Sequence, residues 1–173
     1  MKKIIITSVI LFISFANIVC ANTSIVFVDM EKIITSSIAG ASILKQLTKL
    51  NKENLTKFKN QETKLKDKEK KLSAQKNILS ANEFQNSLEK LKLEIKKYNT
   101  NRNEITNTFK KIQFDAKNKL LQSINPILVD YSNKNSVDMI LQKKNIIVGK
   151  NELDITNNII DEVNKIVEEF KIK

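Results

Sequence analysis

An apolar repeat with alternating four- and three-residue spacing runs through the middle of this chain. Nine of its ten positions from Phe84 to Ala116 are apolar, and Arg102 is the exception. A repeat of about 3.5 residues kept over this length predicts a helix that lies along another helix in a left-handed supercoil. The preceding stretch offers one apolar residue per heptad, at Phe58, Leu65, Leu72 and Leu79. A full apolar seam facing a half seam predicts a long, thin helical hairpin with apolar surface left uncovered.

The turn of this hairpin is marked by Ser80-Ala81-Asn82-Glu83, which has the form of a capping box directly before the full seam. The first helix has to stop where the second is capped, so we expect it to end at about Leu79, with the tip near residues 79–82. Helices of ~45 residues reach about 65–70 Å, at about 1.5 Å per residue. We therefore expect residues 45–119 to form a projecting helical arm without a globular core.

The segments that flank the arm, residues 22–44 and 120–173, predict a small β/α body, so the fold class is mainly α with a small β body. Ser24–Val28 is rich in β-branched residues and favours a buried strand. Two later strands are expected at Val137–Leu141 and Asn145–Val148, joined by a tight connection. A unit this small is marginal alone, and its strand edges would be open. We therefore expect self-association, as a C2 or a C3 assembly, through Ile25, Phe27, Met139, Leu141 and Ile147.

The helices of the body are predicted from their caps and breakers. Asp29 is placed to cap a helix that continues into the arm, and Gly40 interrupts that helix at a cost unless close packing uses it. Pro126 predicts a kink or a short break in the second long helix. After Asp154 or Thr156 as a cap, a last amphipathic helix is expected. Its apolar positions are Ile155, Ile159, Val163, Ile166, Val167 and Phe170.

The start of the chain has the tripartite form of a secretory signal peptide over residues 1–21. A basic leader precedes an apolar run, and small residues around Cys20 predict cleavage after Ala21. An uncleaved anchor is disfavoured because the apolar run is short and contains Asn17. Acylation of Cys20 as a lipoprotein is disfavoured because Val19 is a poor residue before such a cysteine. The chain is therefore expected to be exported.

The residue types that most catalytic and metal sites need are scarce in this chain. There is no histidine, only two glycines, and the single cysteine is removed with the leader. Histidine-dependent triads, most transition-metal sites and glycine-rich phosphate loops are thereby excluded. Nor do two carboxylates share a plausible apolar pocket for acid/base work. We expect no enzyme, no cofactor and no metal.

The positive charge is concentrated in the arm. Between Lys45 and Lys119, 20 Lys and Arg outnumber 9 Asp and Glu, whereas the rest of the mature chain is mildly acidic. A solvated coiled-coil surface is one interpretation, and attraction to anionic partners that weakens with salt is the other. Nucleic acid is disfavoured by export and by the lack of an aromatic-basic motif. Anionic lipid head groups and acidic unfolded chains are the better candidates.

A strand, a long basic helical hairpin, two short strands and a terminal helix are expected to follow the signal peptide in that order. The residues that stand out at the two ends of this order are Val28-Asp29 with Ile33, Ser37, Gly40, Leu44 and Leu47, and then Pro126, Val137–Leu141 and Asp154-Ile155-Thr156. In these residues and in the order of elements the chain resembles the Skp/OmpH family of periplasmic chaperones, and the arm matches that family only in kind. Asn135-Ser136-Val137-Asp138 stands where such families often have Gly-Tyr-Asp, which is a mild departure.

The resemblance implies a trimer whose body strands form a barrel and whose three arms enclose a cavity for unfolded outer-membrane proteins. The implied function is that of an ATP-independent holdase, which prevents aggregation of these clients before membrane insertion. A structural or adaptor coiled coil is the alternative, and a binder of lipid surfaces is a lesser one. For any one stripe residue, packing of helix on helix is the simpler role. The predicted client-binding residues are Phe58, Leu65, Leu72, Leu79, Phe84, Leu88, Leu91, Ile95 and Tyr98.

Overall fold

The fold is mainly α-helical with a small β body, as the sequence predicts. The computed structural model describes residues 23–172, so the expected signal peptide and its cleavage at Ala21 lie outside the described residues. The elements, in chain order, are β1 (Ile25–Val28), α1 (Met30–Ser36), α2 (Ile38–Ala74), α3 (Ala81–Asn135), β2 (Met139–Gln142) and α4 (Thr156–Ile166). Two single 3₁₀ turns, Lys143–Asn145 and Asn151–Leu153, lie between β2 and α4.

The arm is an antiparallel hairpin of α2 and α3, and its capping box is confirmed. The Ser80 hydroxyl accepts from the Glu83 N–H, and the Glu83 carboxylate accepts from the Ser80 N–H at 3.1 Å. The Ser80 hydroxyl also donates to the Glu83 carboxylate at 2.7 Å, and this bond, together with the one from the Ser80 N–H, lowers the pKa of Glu83. Helix α2 ends at Ala74 rather than at Leu79, because the amide of Gln75 also bonds back to Leu72 and the chain tightens into a turn. Leu79 therefore lies in the tip turn.

The helix that begins after Asp29 is not continuous with the arm. Asp29 caps α1 as expected, accepting from the Lys32 N–H at 2.9 Å, but extended geometry at Ser37 separates α1 from α2. The buried Ser37 hydroxyl accepts from the Gly40 N–H and caps α2. A Cβ on Gly40 would lie 1.7 Å from the Ile34 carbonyl oxygen. The glycine is needed because α1 folds back so closely onto the first turn of α2.

The sheet of the described chain has two parallel strands, with Ile25 opposite Met139 and Phe27 opposite Leu141. The prediction of a further strand at Asn145–Val148 is wrong. Lys143–Asn145 form a 3₁₀ turn, in which the Ile146 N–H donates to the Lys143 carbonyl. The chain then turns away from the sheet, and Ile147 is 100% exposed.

The two later helices also differ from expectation. Helix α3 continues through Pro126 without the expected break, and Ile124 and Ile127 on either side are buried in the core. Burial of these neighbours offsets the backbone donor that the proline removes and the crowding of its ring against the preceding turn. Helix α4 buries Ile159 and Val163 as predicted but ends at Ile166. Val167 and Phe170 therefore belong to an extended segment beyond the helix.

One continuous apolar core lies where both strands, α1, α4 and the body ends of the long helices meet. Its buried members come from every one of these elements except β2, whose Ile140 packs against them half-buried. The members include Val26, Val28, Ile33, Ile43, Leu47, Ala116, Leu120, Ile124, Ile127, Ile155, Ile159 and Val163.

Candidate functional site

Two cross-helix contacts fix the register of the arm. Lys68 on α2 meets Glu94 on α3 with an Nζ–Oε distance of 2.6 Å. The guanidinium of Arg102, the one polar residue of the seam, lies 5.7 Å from the centre of the Phe58 ring. This cation–π geometry explains why a charged residue occupies a seam position. The register places Leu72 level with Leu88 and Leu91, near the tip.

The helices of the arm are sealed at both ends and open in between. At the base, Leu47 of α2 and Ala116 of α3 are buried, and near the tip Leu72 and Leu91 are buried. Between these pairs, neither helix has a buried residue, although both are described over the whole stretch. The half seam of α2 has too few apolar side chains to cover the full seam of α3, so the seam residues stay half-exposed.

This open stretch forms a line of three depressions, which we call the arm groove. The upper depression has a volume of about 710 Å³, the middle one about 340 Å³ and the lower one about 260 Å³. Asn101 and Glu104 line both the upper and the middle depression, and Ile112 lines both the middle and the lower, so the three adjoin. The apolar floor of the upper and middle depressions consists of Leu50, Leu65, Leu93, Tyr98, Ile105, Phe109 and Ile112.

The rim of the arm groove is mainly cationic. Lys64, Lys96 and Lys97 border the upper depression and Lys57 the middle one. Among residues 23–172, Lys68 is the one groove lysine in an ion pair. The Tyr98 hydroxyl is buried at the upper depression without a hydrogen-bond partner in the described chain.

The predicted client-binding residues occupy different environments along the arm. Leu72 and Leu91 are buried, and Ile95 is exposed. Leu65 and Tyr98 are the two that line the arm groove. The remaining predicted residues are half-buried along the seam or at the tip; they are Phe58, Leu79, Phe84 and Leu88.

Sequence reasoning missed most of the groove floor. Leu93, which is 66% exposed, lies off the seam and lines the upper depression. The sequence signal that could have identified Leu93 is that an apolar residue lies outside the repeat and close to several lysines. Ile105, Phe109 and Ile112 belong to the repeat, whose surface was expected to stay partly uncovered, but the predicted client-binding residues end at Tyr98. No motif pointed to Gln46, which holds an extended segment at the base of the arm.

Three of the five predicted association residues are exposed on the outer face of the sheet, and a fourth is exposed on the loop beside it. Ile25, Met139 and Leu141 lie on the face opposite to Val26 and Val28, which point to the core. Ile147 follows on the adjoining loop and is fully exposed. Phe27 differs: it is only 7% exposed, because Gly149 and the bridge to Asp154 cover it within the same chain.

The loop that carries Ile147 is held by Lys143 and Asp154, whose Nζ and Oδ2 atoms are 2.7 Å apart. Burial acts to raise the pKa of Asp154, but hydrogen bonds from Lys143 and from the hydroxyl and amide of Thr156 outweigh it and leave the pKa lowered. The same contact with Asp154 raises the pKa of Lys143. Both groups are therefore charged near neutral pH.

Residues 23–172 contain neither a candidate membrane span nor a candidate metal cluster. None of the described helices combines the length and the apolar character that crossing a bilayer requires. In the same part of the chain, no three histidine, cysteine or acidic residues come together in a way that could hold a metal ion.

Comparison with known proteins identifies the family that has this architecture. A family model described as "Outer membrane protein (OmpH-like)" matches residues 24–163. A solved structure from Caulobacter crescentus CB15, provisionally assigned as an OmpH-like outer membrane chaperone, shares the fold with a TM-score of 0.76 at 14% identity, over 88% of this chain and 90% of that chain. The curated protein sequences contain no significant match. The family match spans most of the chain and confirms the predicted resemblance: this chain belongs to the OmpH-like family of outer membrane proteins.

Proposed function

We propose that this chain is an ATP-independent periplasmic holdase, which binds unfolded outer-membrane polypeptides and prevents their aggregation before membrane insertion. It acts by binding alone, without a cofactor or a catalytic step. The proposal includes export through a signal peptide cleaved after Ala21. The family membership and the chaperone assignment of the Caulobacter protein support it.

The observation that carries the proposal is the unsealed middle of the arm. A holdase needs apolar surface that is exposed in the folded protein and yet does not aggregate. The arm groove offers such surface as a narrow floor between lysine rims, spread over three depressions. Because the apolar contacts are dispersed, each side chain contributes little, and binding does not depend on one client sequence.

The rim supplies a second, longer-range attraction. The arm carries 20 basic against 9 acidic residues, and most rim lysines have no acidic partner. Such a surface attracts acidic unfolded chains and raises their association rate, and both effects weaken as salt rises.

We further propose that the chain works as a homo-oligomer, a trimer by the family resemblance, joined through the outer sheet face. Ile25, Met139 and Leu141 are side by side on that face, and Ile147 adjoins it. Exposed apolar clusters of this kind mark association surfaces. A two-stranded sheet also leaves an outer edge on β2 that a second copy could pair with.

The direct test of the holdase proposal is aggregation of a urea-denatured β-barrel outer-membrane protein on dilution, followed by light scattering. We expect near-stoichiometric suppression without ATP, weakened by added salt. A structural or adaptor coiled coil would leave aggregation unchanged. Binding to anionic vesicles without suppression would instead favour the lipid-surface alternative.

Two leucines provide a matched pair for locating the binding surface. Leu93 lines the upper depression, whereas Leu55 lines none of the three, and the two are similarly exposed at 66% and 57%. A photo-crosslinking residue at position 93 should label the denatured client, and the same residue at position 55 should label it much less. Equal labelling at both positions would contradict the groove as the binding surface.

The association surface has its own pair of variants. Met139→Glu places a charge on the outer sheet face, and Val129→Glu places one at a comparably exposed site on α3, away from the sheet. Sedimentation should show that the first variant dissociates the oligomer and that the second does not. An unchanged mass for Met139→Glu would exclude this face as the interface.

A further inference from the structure

Residues 167–172 form an extended segment that lies across the base of the arm. Helix α4 ends at Ile166, and the cap residue Val167 has extended backbone angles. The segment runs between Gln46 on α2 and Lys119 on α3 and borders the lower depression of the arm groove. It is therefore an extended peptide already seated between the two arm helices.

Gln46 holds this segment by its backbone alone. The side-chain Nε2 of Gln46 donates to the Phe170 carbonyl at 3.0 Å, and its Oε1 accepts from the Ile172 N–H at 3.1 Å. This pair of bonds satisfies one acceptor and one donor of an extended chain, as a neighbouring strand would. Because no side chain of the segment takes part, any extended polypeptide in the same register could make both bonds.

The end of the segment, residues 170–172, has the side-chain alternation of a strand. Phe170 and Ile172 pack against the body core and are half-buried, while Lys171 between them is exposed. The Lys119 ammonium lies 4.3 Å from the centre of the Phe170 ring. The site therefore takes two apolar or aromatic side chains that are separated by one exposed residue, a spacing that a transmembrane β-strand also has.

The segment does not fill the space it occupies. About 260 Å³ remains between it and Ile112, Ala116 and Lys119 of α3. Ile112 also lines the middle depression, so the space opens directly into the rest of the arm groove. A chain bound along the arm would thus reach the segment without crossing any other part of the body.

We propose that the base of the arm beside the lower depression is a binding site for extended polypeptide with apolar side chains at alternate positions, and that residues 167–172 cover this site as an internal substitute which such a strand displaces. This rests on the proposed function, because the strand it takes is a stretch of unfolded outer-membrane client. Occupancy by the segment covers the site in the free protein. Displacement makes the site available only when a competing strand arrives.

The test uses a short, end-blocked, fluorescent peptide in which Phe and Ile alternate with Ser and Thr, and a scrambled peptide of the same composition. The double variant F170S/I172S should release the segment, and E169S, which changes an exposed residue that lines none of the three depressions, is the control and should leave peptide binding unchanged. If the segment fills the site about nine-tenths of the time, its release tightens peptide binding about tenfold. Adding Q46A to the double variant should abolish that gain.

Unchanged peptide affinity in F170S/I172S would overturn the inference, as would equal binding of the scrambled peptide. A second measurement on the unaltered chain does not depend on how the variants fold. In the free chain the Ile172 amide donates a hydrogen bond to Gln46 Oε1. Saturating peptide should remove the hydrogen-exchange protection of this amide. Retained protection while the peptide is bound would also overturn the inference.

The outcomes separate this inference from the proposed function. A chain that suppresses aggregation of the denatured barrel protein and ignores the alternating peptide is a holdase without this site. A chain that binds the peptide through Gln46 and leaves aggregation unchanged has the site, and the holdase proposal fails.

Discussion

The body and the arm share the same two long helices, and they treat apolar surface in opposite ways. In the body, α2 and α3 meet β1, α1 and α4, so Ile33, Ile124 and Ile159 are fully buried. In the arm each helix has only the other as a partner, and no residue is buried between Leu47 and Leu72 of α2. Two helices need apolar residues on both faces of their seam to seal it. Whether a stretch of these helices is buried in the core or left open as a binding surface therefore depends more on how many elements pack against it than on helix propensity.

The largest difference should come from one leucine in each region. Leu120→Ala in the core should lower the free energy of unfolding by about 3 kcal/mol through lost burial and a cavity. Leu65→Ala on the half-exposed seam should cost less than about 1 kcal/mol. Guanidinium unfolding at a fixed protein concentration measures both, since association contributes to stability. Similar losses would show that the arm is packed as tightly as the body.

A second change tests the junction at which the two regions join. Gly40→Ala would place a Cβ 1.7 Å from the Ile34 carbonyl oxygen, so α1 has to move. We expect a loss of about 2 kcal/mol, within the range for overpacking. Ala41→Ser, at the exposed next position, is the control and should be near neutral. A stable Gly40→Ala protein would refute the close approach of α1 to α2.

A third change sharpens the comparison within the arm itself. Leu72 and Leu65 lie one heptad apart on α2, and only Leu72 is buried. Leu72→Ala should therefore cost about 1–2 kcal/mol more than Leu65→Ala in the same unfolding experiment. Equal costs would mean that the seam is uniform and that the middle of the arm is not open.

A smaller loss is expected at the tip. Ser80→Ala removes the hydroxyl that accepts from the Glu83 amide and should destabilise the start of α3 by about 1 kcal/mol. Exchange of the first amides of α3 should rise, while amides in the body stay unchanged. Thr106→Ala, in the exposed middle of α3, serves as the control, since its hydroxyl bonds only to a carbonyl that is already in the helix.

The smallest effect should appear on acidification. The pKa values of Glu83 in the arm and Asp154 in the body are lowered in the folded chain by their hydrogen bonds. Each carboxylate therefore stabilises the fold above its unfolded pKa, near 4, and the contribution is lost as the pH falls through the folded pKa. Carboxyl chemical shifts recorded against pH should show each midpoint below the unfolded pKa of that residue type. A midpoint at or above the unfolded value would refute the corresponding hydrogen bonds.

Local signals in the sequence were sufficient for the parts of the fold that neighbouring residues determine. The capping box at Ser80 and the cap at Asp29 involve contacts within one turn, so both were predicted correctly. The close packing that Gly40 needs was anticipated, but the break at Ser37 was not. That break depends on α1 folding back onto α2, which is a tertiary contact.

Three of the errors share one physical cause: each lies where contacts between distant parts of the chain override the local sequence pattern. Asn145–Val148 reads as a strand but has no partner in the described chain, since the pairing of Lys143 with Asp154 directs the loop elsewhere. Phe170 fits the helical spacing of α4 but lies in an extended segment, because Gln46, far away in sequence, holds its carbonyl. Leu93 lies outside the repeat, and only the three-dimensional groove shows its place in the floor.

Hydrogen exchange resolved along the chain measures the openness of the arm most directly. Amides of α2 at positions 48–71 and of α3 at positions 92–115 should exchange at least about 100-fold faster than those of Leu120–Ile127, because sparse packing lowers the free energy of local opening. Addition of a denatured β-barrel protein should slow exchange in the arm alone. Equal protection of arm and body, unaffected by the added client, would contradict an open arm that binds unfolded chains.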